Sequence, residues 1–163
     1  MIRIDWTQQH KLVKFTKQDK DESVFVGKFK GLDVWNYTNG KDKCFYLIKN
    51  NIVVSQIWYD IISSNIWKII VTQVDRKFQG FGFVPKFYKW LMKKHNVILQ
   101  AGIEQSAGGR NMWAQLADVK GVSVYAVKGK QSFKLVNGGE GELVTEDGDE
   151  IYNKGYKVYA KVI

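Results

Sequence analysis

Cysteine and proline occur once each, at Cys44 and Pro85, and arginine only at Arg3, Arg76 and Arg110. A lone cysteine cannot form an internal disulfide, which agrees with a reducing compartment. No apolar run approaches the roughly 20 residues that a membrane helix requires. The opening residues, Met1 to Trp6, lack the charged-then-apolar order of a signal peptide. His10 and His95 have no metal-ligand spacing with each other or with Cys44, so no metal site is expected. These absences point to a soluble, cytoplasmic protein without a membrane partner.

What is present is a globule's composition, with 45% apolar and 14% aromatic residues. The chain shows no linker, low-complexity stretch or internal repeat, so residues 1–163 read as a single domain. The net charge is +9 and unevenly spread. Glu140, Glu142, Glu146, Asp147, Asp149 and Glu150 fall in one segment without lysine or arginine, leaving 25 basic against 10 acidic residues elsewhere. A polyphosphate cofactor, a nucleic acid or an acidic protein could use that field. Solvated lysines are the plain alternative, and arginine, the better group for bidentate phosphate contacts, is scarce.

Lys17–Glu22 reads as a charged, exposed segment, and Ser23–Tyr37 as one or two short strands. Lys43–Lys49 and Ile52–Ile61 are β-rich runs separated by Asn50-Asn51, a pair suited to a two-residue hairpin turn. Ser63-Ser64-Asn65 is a second turn, and Ile66–Val74 follows as a strand. Its unbroken Ile69-Ile70-Val71 predicts cover on both faces. Val84, Phe87, Tyr88 and Leu91 then recur at helical spacing, with Lys86, Lys89, Lys93 and Lys94 mostly opposite. Pro85 belongs in the first turn of that helix, which fixes its start near Gly82, and Asn96 is a fitting stop. Trp90 falls near the lysine side and could share a binding face with it. Val97–Ile103 is a strand, Ser106–Gly109 a loop and Arg110–Leu116 a second helix. Val122–Val127 is a further strand, while Phe133–Val136 and Tyr156–Val162 look like a closing pair. The fold class is α/β (α+β): a mixed, mostly antiparallel sheet with one or two parallel pairings at the helical crossovers.

Between the Ile66–Val74 strand and the first long helix lies Lys77-Phe78-Gln79-Gly80-Phe81-Gly82. The first N–H groups of a helix lack intrahelical partners, and the dipole there favours negative charge. Glycines at 80 and 82 let the backbone approach a pyrophosphate closely, and Arg76 and Lys77 add positive charge. Two other phosphate-binding patterns fail. The dinucleotide fingerprint needs glycine where Pro85 stands, and the P-loop lysine pattern is absent.

The stretch resembles the Q/R-x-x-G-x-G/A signature of the GNAT acetyltransferase superfamily, in its usual place between a strand and an amphipathic helix. Asn111-Met112-Trp113-Ala114-Gln115-Leu116 is similar to the first part of a second family motif. The resemblance spans roughly Phe45–Val127 and implies a GNAT-like sheet with a central parallel pairing, flanking helices and acetyl-CoA as cofactor. It implies pyrophosphate on the backbone of Gln79, Gly80, Phe81 and Gly82. The pantetheine arm would lie along Gln73, Val74 and Asp75, with Arg76, Lys77 and Asn111 also at the cofactor. A carboxylate would deprotonate the acceptor amine; Glu104 is the first candidate and Asp60 the second. Two departures stand out. Lys77 replaces the usual Gln or Arg, and Ala117-Asp118 occupy the place of the tyrosine that often protonates the leaving thiolate. Two readings stay open: an N-acetyltransferase for an unidentified amine, or a phage-like GNAT-fold protein without turnover whose basic surface engages nucleic acid or an acidic protein.

Overall fold

The computed structural model describes residues 13–80, 82–102 and 107–163. Its chain divides into two compact units, Met1–Asp60 with Ile69–Phe81, and Ile61–Lys68 with Gly82–Ile163. The described residues form ten strands, mostly antiparallel in their pairing, with one parallel pair.

The first unit is an antiparallel meander. Its strands are β1 (Ser23–Phe29), β2 (Leu32–Asn39), β3 (Asp42–Lys49), β4 (Ile52–Ser63, as far as Asp60) and β5 (Ile66–Val74, from Ile69). Each strand is followed by the next through a tight turn, and each pairs with the next in order. Lys49 pairs with Ile52, which leaves Asn50-Asn51 as a two-residue loop with φ of +51° and +61°. Two successive left-handed residues match the twist of a hairpin, so the asparagines settle this register as the sequence suggests. β3 is buried on both faces: Cys44, Tyr46 and Ile48 join Phe15, Tyr37 and Val53 in one cluster, while Phe45 and Leu47 are buried between them in sequence. The charged segment after Phe15 is a short helix, α1 (Lys17–Asp21), and not simply an exposed stretch. Thr16 and Asp19 cap it reciprocally, and Asp19 is only 8% exposed because its carboxylate accepts the Thr16 N–H at 2.7 Å.

The second unit has strand order β5-β6-β10-β7-β8-β9, with β6 at Ile98–Gln100, β7 at Val122–Lys128, β8 at Gln131–Asn137, β9 at Leu143–Thr145 and β10 at Lys157–Val162. Helix α2 (Phe83–His95) joins β5 to β6, and Ile66, Trp67 and Lys68 pair in parallel with Ile98, Leu99 and Gln100. A parallel pair needs such a crossover, and α2 covers it with Phe87, Tyr88 and Leu91, each fully buried. Pro85 sits at the third helical position and Asn96 ends the helix in a left-handed conformation, as the pattern predicts. Trp90 is half-buried on the Phe87 ring at 5.6 Å, with the Lys94 ammonium 5.5 Å from its face. Its indole is therefore partly used in packing.

Four expectations need correction. β8 pairs with β7 and β9, not with β10; β10 lies between β6 and β7 and is antiparallel to both. The cause is local, because Lys128 pairs with Gln131 and the two-residue turn commits β8 to β7. The strand expected over Val97–Ile103 spans only Ile98–Gln100. The second helix, α3 (Ala107–Leu116), starts earlier than expected and absorbs Gly108-Gly109 in its first turn; Ser106 lies outside the described residues. Finally, Ile69 is buried but Ile70 and Val71 are 44% and 43% exposed, so that stretch of β5 is not covered on both faces. No helix among the described residues is long and apolar enough to cross a membrane.

Cys44 has no exposed surface, and its thiol is pushed up to about 11 by burial. Thiolate, the reactive form, is therefore scarce and shielded at neutral pH. Cys44 is expected to resist a maleimide reagent in the native protein and to react fully in denaturant; mass spectrometry of native and unfolded samples checks this.

Candidate functional site

β5 ends in a turn built from its own residues. Asp75, 5% exposed, donates its N–H to the Val54 carbonyl at 2.9 Å, and its carboxylate accepts the Lys77 N–H at 2.9 Å. That cap starts one turn of 3-10 helix, Arg76–Phe78, which sequence periodicity is too short to reveal. The Gln79 side-chain amide then folds back and donates to the Val74 carbonyl at 2.8 Å. Gly80 and Gly82 follow with φ of +84° and +66°, both left-handed, and a Cβ at either would meet nothing within 4 Å. The glycines are thus required by backbone conformation, and open space lies beside them. Gly82 is the N-cap of α2 and no side chain caps the helix there, so its first N–H groups have no partner from that residue's side chain. Arg76, Lys77 and Gln79 are exposed along this stretch, while Phe81 lies outside the described residues.

The expected cofactor residues on β5 are partly engaged within the fold. The Gln73 carbonyl accepts from the Ser55 hydroxyl at 2.7 Å, the Val74 carbonyl from Gln79, and the Asp75 N–H is held by Val54. A carbonyl has two lone pairs, so each of the two keeps acceptor capacity. Pairing of β5 with β6 covers only Ile66–Lys68, and from Ile69 on its one strand neighbour among the described residues is β4. From Ile69 to Val74, β5 thus has no second strand beside it among the described residues.

Within the first unit, a hollow of about 390 Å³ lies beside β4 and β5. Trp58, Ile70 and Val71 give it apolar walls, Tyr59 and Gln73 polar ones, the β2–β3 turn contributes Lys41, and the start of β3 contributes Asp42 and Lys43. Asp60 stands at this hollow, exposed, with no hydrogen-bond or ion partner among the described residues. The Tyr59 hydroxyl accepts from Asn36 at 2.8 Å, its ring stacks on Phe45 at 4.9 Å, and burial pushes its phenol above the ordinary value of 10. The Lys43 ammonium is turned onto the Gly40 carbonyl at 3.0 Å. Asp60 and Gln73 were the sequence-chosen residues here; Trp58 and the exposed Ile70 and Val71 were not, because an apolar residue facing a cavity reads like one facing a core. Glu104, the other carboxylate candidate, lies outside the described residues.

Asn111 belongs to the second unit, exposed on α3, where a Cβ on Gly141 would lie 3.3 Å from its own Cβ. Its neighbour Arg110 is 3.6 Å from the Glu142 carboxylate and 4.3 Å from the centre of the Tyr152 ring. The acidic segment thus packs onto α3, a role that its composition alone does not reveal.

No protein-family model matches the chain, and no curated protein matches it by sequence. Among solved structures it is similar to a GNAT family acetyltransferase from Elizabethkingia anophelis with acetyl-CoA bound. That likeness has a TM-score of 0.46 and 11% identity, over 83% of this chain and 100% of the other. It is also similar to the ribosomal-protein-S18-alanine N-acetyltransferase from Escherichia coli, with a TM-score of 0.42 and 11% identity over 94% and 93% of the two chains. At such identity, each site residue of this chain stands on its own geometry.

Two outcomes are expected from this geometry. Asp75→Ala removes the cap of the turn and should cost about 1–2 kcal/mol in urea unfolding; unchanged stability would show that the carboxylate does not hold the turn. Burial, with Glu142 adding to it and Arg110 opposing it, pushes the Tyr152 phenol up to about 12. The folded chain favours the neutral phenol, so its contribution is complete below about pH 10 and is lost as pH rises towards about 12. Unfolding midpoints should fall across that window, and in Tyr152→Phe they should fall less.

Proposed function

We propose that the chain is an N-acyltransferase that moves an acetyl group from acetyl-CoA to an amine. The observation that carries this reading is the turn Gln79–Gly82. Two left-handed glycines with open space beside them lead into a helix without a side-chain cap, and two cations, Arg76 and Lys77, stand just before. Such a backbone fits a pyrophosphate, through uncapped N–H groups and the positive end of the helix dipole. The second support is β5 itself. It rises about 3.3 Å per residue, so its stretch from Ile69 to Val74, beyond the pairing with β6, spans about 16 Å. An extended pantetheine arm along that stretch would reach from the turn to the hollow that holds Asp60.

Acetyl-CoA would supply the acetyl group as an activated thioester. The residues of this chain then have three tasks. Main-chain N–H groups of Gln79, Gly80 and Gly82 hold the diphosphate, with Arg76 and Lys77 balancing its charge. The edge of β5, at Gln73, Val74 and Asp75, orients the arm. Asp60 receives the amine and takes its proton on a carboxylate oxygen as nitrogen acylates, which is the task of a general base. A tyrosine at Ala117-Asp118 is dispensable on this reading, because a thiol of pKa about 8.5 leaves as thiolate near neutral pH with little help.

Isothermal titration of the full chain with acetyl-CoA and CoA tests the assignment. Both should bind, and Gly80→Glu should weaken them by about tenfold or more, since a carboxylate there repels the diphosphate. The left-handed backbone makes the same change cost about 1–2 kcal/mol of stability, so circular dichroism should accompany the titration. An absence of heat at about 1 mM cofactor would sink the reading. Binding to DNA that weakens steeply with salt, without cofactor binding, would replace it with the non-catalytic alternative.

A further inference from the structure

The hollow beside β4 and β5 has a composition that narrows what it can hold. About 390 Å³ is at the small end for ligand pockets, enough for a metabolite-sized molecule and too little for a folded partner. Ile70 and Val71 sit in mid-strand with 44% and 43% of their surface exposed, beside the half-buried Trp58. Side chains of this kind gain from being covered, and here a ligand is what can cover them.

The charges decide the polarity of that ligand. Asp60 projects from a strand, has no partner among the described residues and is held in place by the β4 backbone. Of the two lysines, Lys43 is turned onto Gly40, and Lys41 is an exposed turn residue whose long stem lets its charge move into water. Asp42 is itself engaged, so the wall charge that is neither hydrogen-bonded nor carried on the turn is the carboxylate of Asp60. An ammonium beside Asp60 and close to the indole of Trp58 would gain from both the carboxylate and the aromatic face. The Gln73 amide adds one neutral donor and acceptor.

We propose that this hollow binds a small primary amine carried on an apolar body and lacking a carboxylate, its ammonium on Asp60 and its body against Trp58, Ile70 and Val71. The inference rests on the acetyl-transfer reading for what becomes of the amine, but not for its binding.

The test uses the full chain without cofactor. Phenethylamine, its neutral counterpart 2-phenylethanol and the amino acid phenylalanine are titrated by calorimetry. Phenethylamine should bind about tenfold or more tightly than the alcohol. Asp60→Asn, a change at an exposed position, should remove that preference, with circular dichroism showing the fold unchanged. Val71→Asp, also at an exposed position, should weaken the alcohol by making the apolar wall charged. The proposal is overturned by equal affinity for amine and alcohol, by an Asp60→Asn chain that keeps the preference, or by no saturation at about 20 mM amine. Phenylalanine binding more tightly than phenethylamine also overturns it, because a carboxylate would then be read. The two readings fail separately. Amine binding without acetyl-CoA binding leaves the hollow assigned and ends acetyl transfer, and acetyl-CoA binding without amine binding does the reverse.

Discussion

β5 is paired on both sides only as far as Lys68, and most of the candidate site follows from the loss of its second neighbour. A strand paired on both sides has its main-chain groups used in the sheet. Once β5 has β4 alone beside it, Ile70 and Val71 face open space, the hollow can form next to Asp60, and the Ile69–Val74 edge can receive an extended ligand. The pairing ends within β5, whose chain then continues directly into the Asp75 cap and the glycine turn.

The turn shows how few interactions are needed to fix a backbone. One buried carboxylate, on Asp75, sets the start of the 3-10 turn, and one amide, on Gln79, ties its end back to Val74. With both ends fixed, Gly80 and Gly82 adopt conformations that a side chain would resist. The cations beside them, Arg76 and Lys77, then act on a defined backbone.

Sequence patterns were legible where the signal is local. The Asn50-Asn51 hairpin, the Ile66–Val74 strand and the helix framed by Gly82, Pro85 and Asn96 each depend on neighbours in sequence, and the structure has them in place. Strand partners beyond the next turn were not legible. Nothing local in Tyr156–Val162 says that β10 lies between β6 and β7, since its pairings are fixed by contacts distant in sequence. The same limit applied to burial. Ile69-Ile70-Val71 is an apolar run whether it meets a core or a cavity, so the hollow could not be read from it. Asp60 was legible only as a type of residue in a hairpin. Its place beside Trp58, Val71 and Gln73 is a product of the fold.

The open stretch of β5 also bears on the solution behaviour of the protein. A strand edge with apolar side chains is a template on which another chain can pair, and natural sheets often guard such edges with lysine, proline or a bulge. Ile69–Val74 contains neither lysine nor proline. A ligand lying along this stretch would therefore also act as a colloidal stabiliser. In its absence, the protein's solubility depends on the long-range repulsion of a net charge of +9.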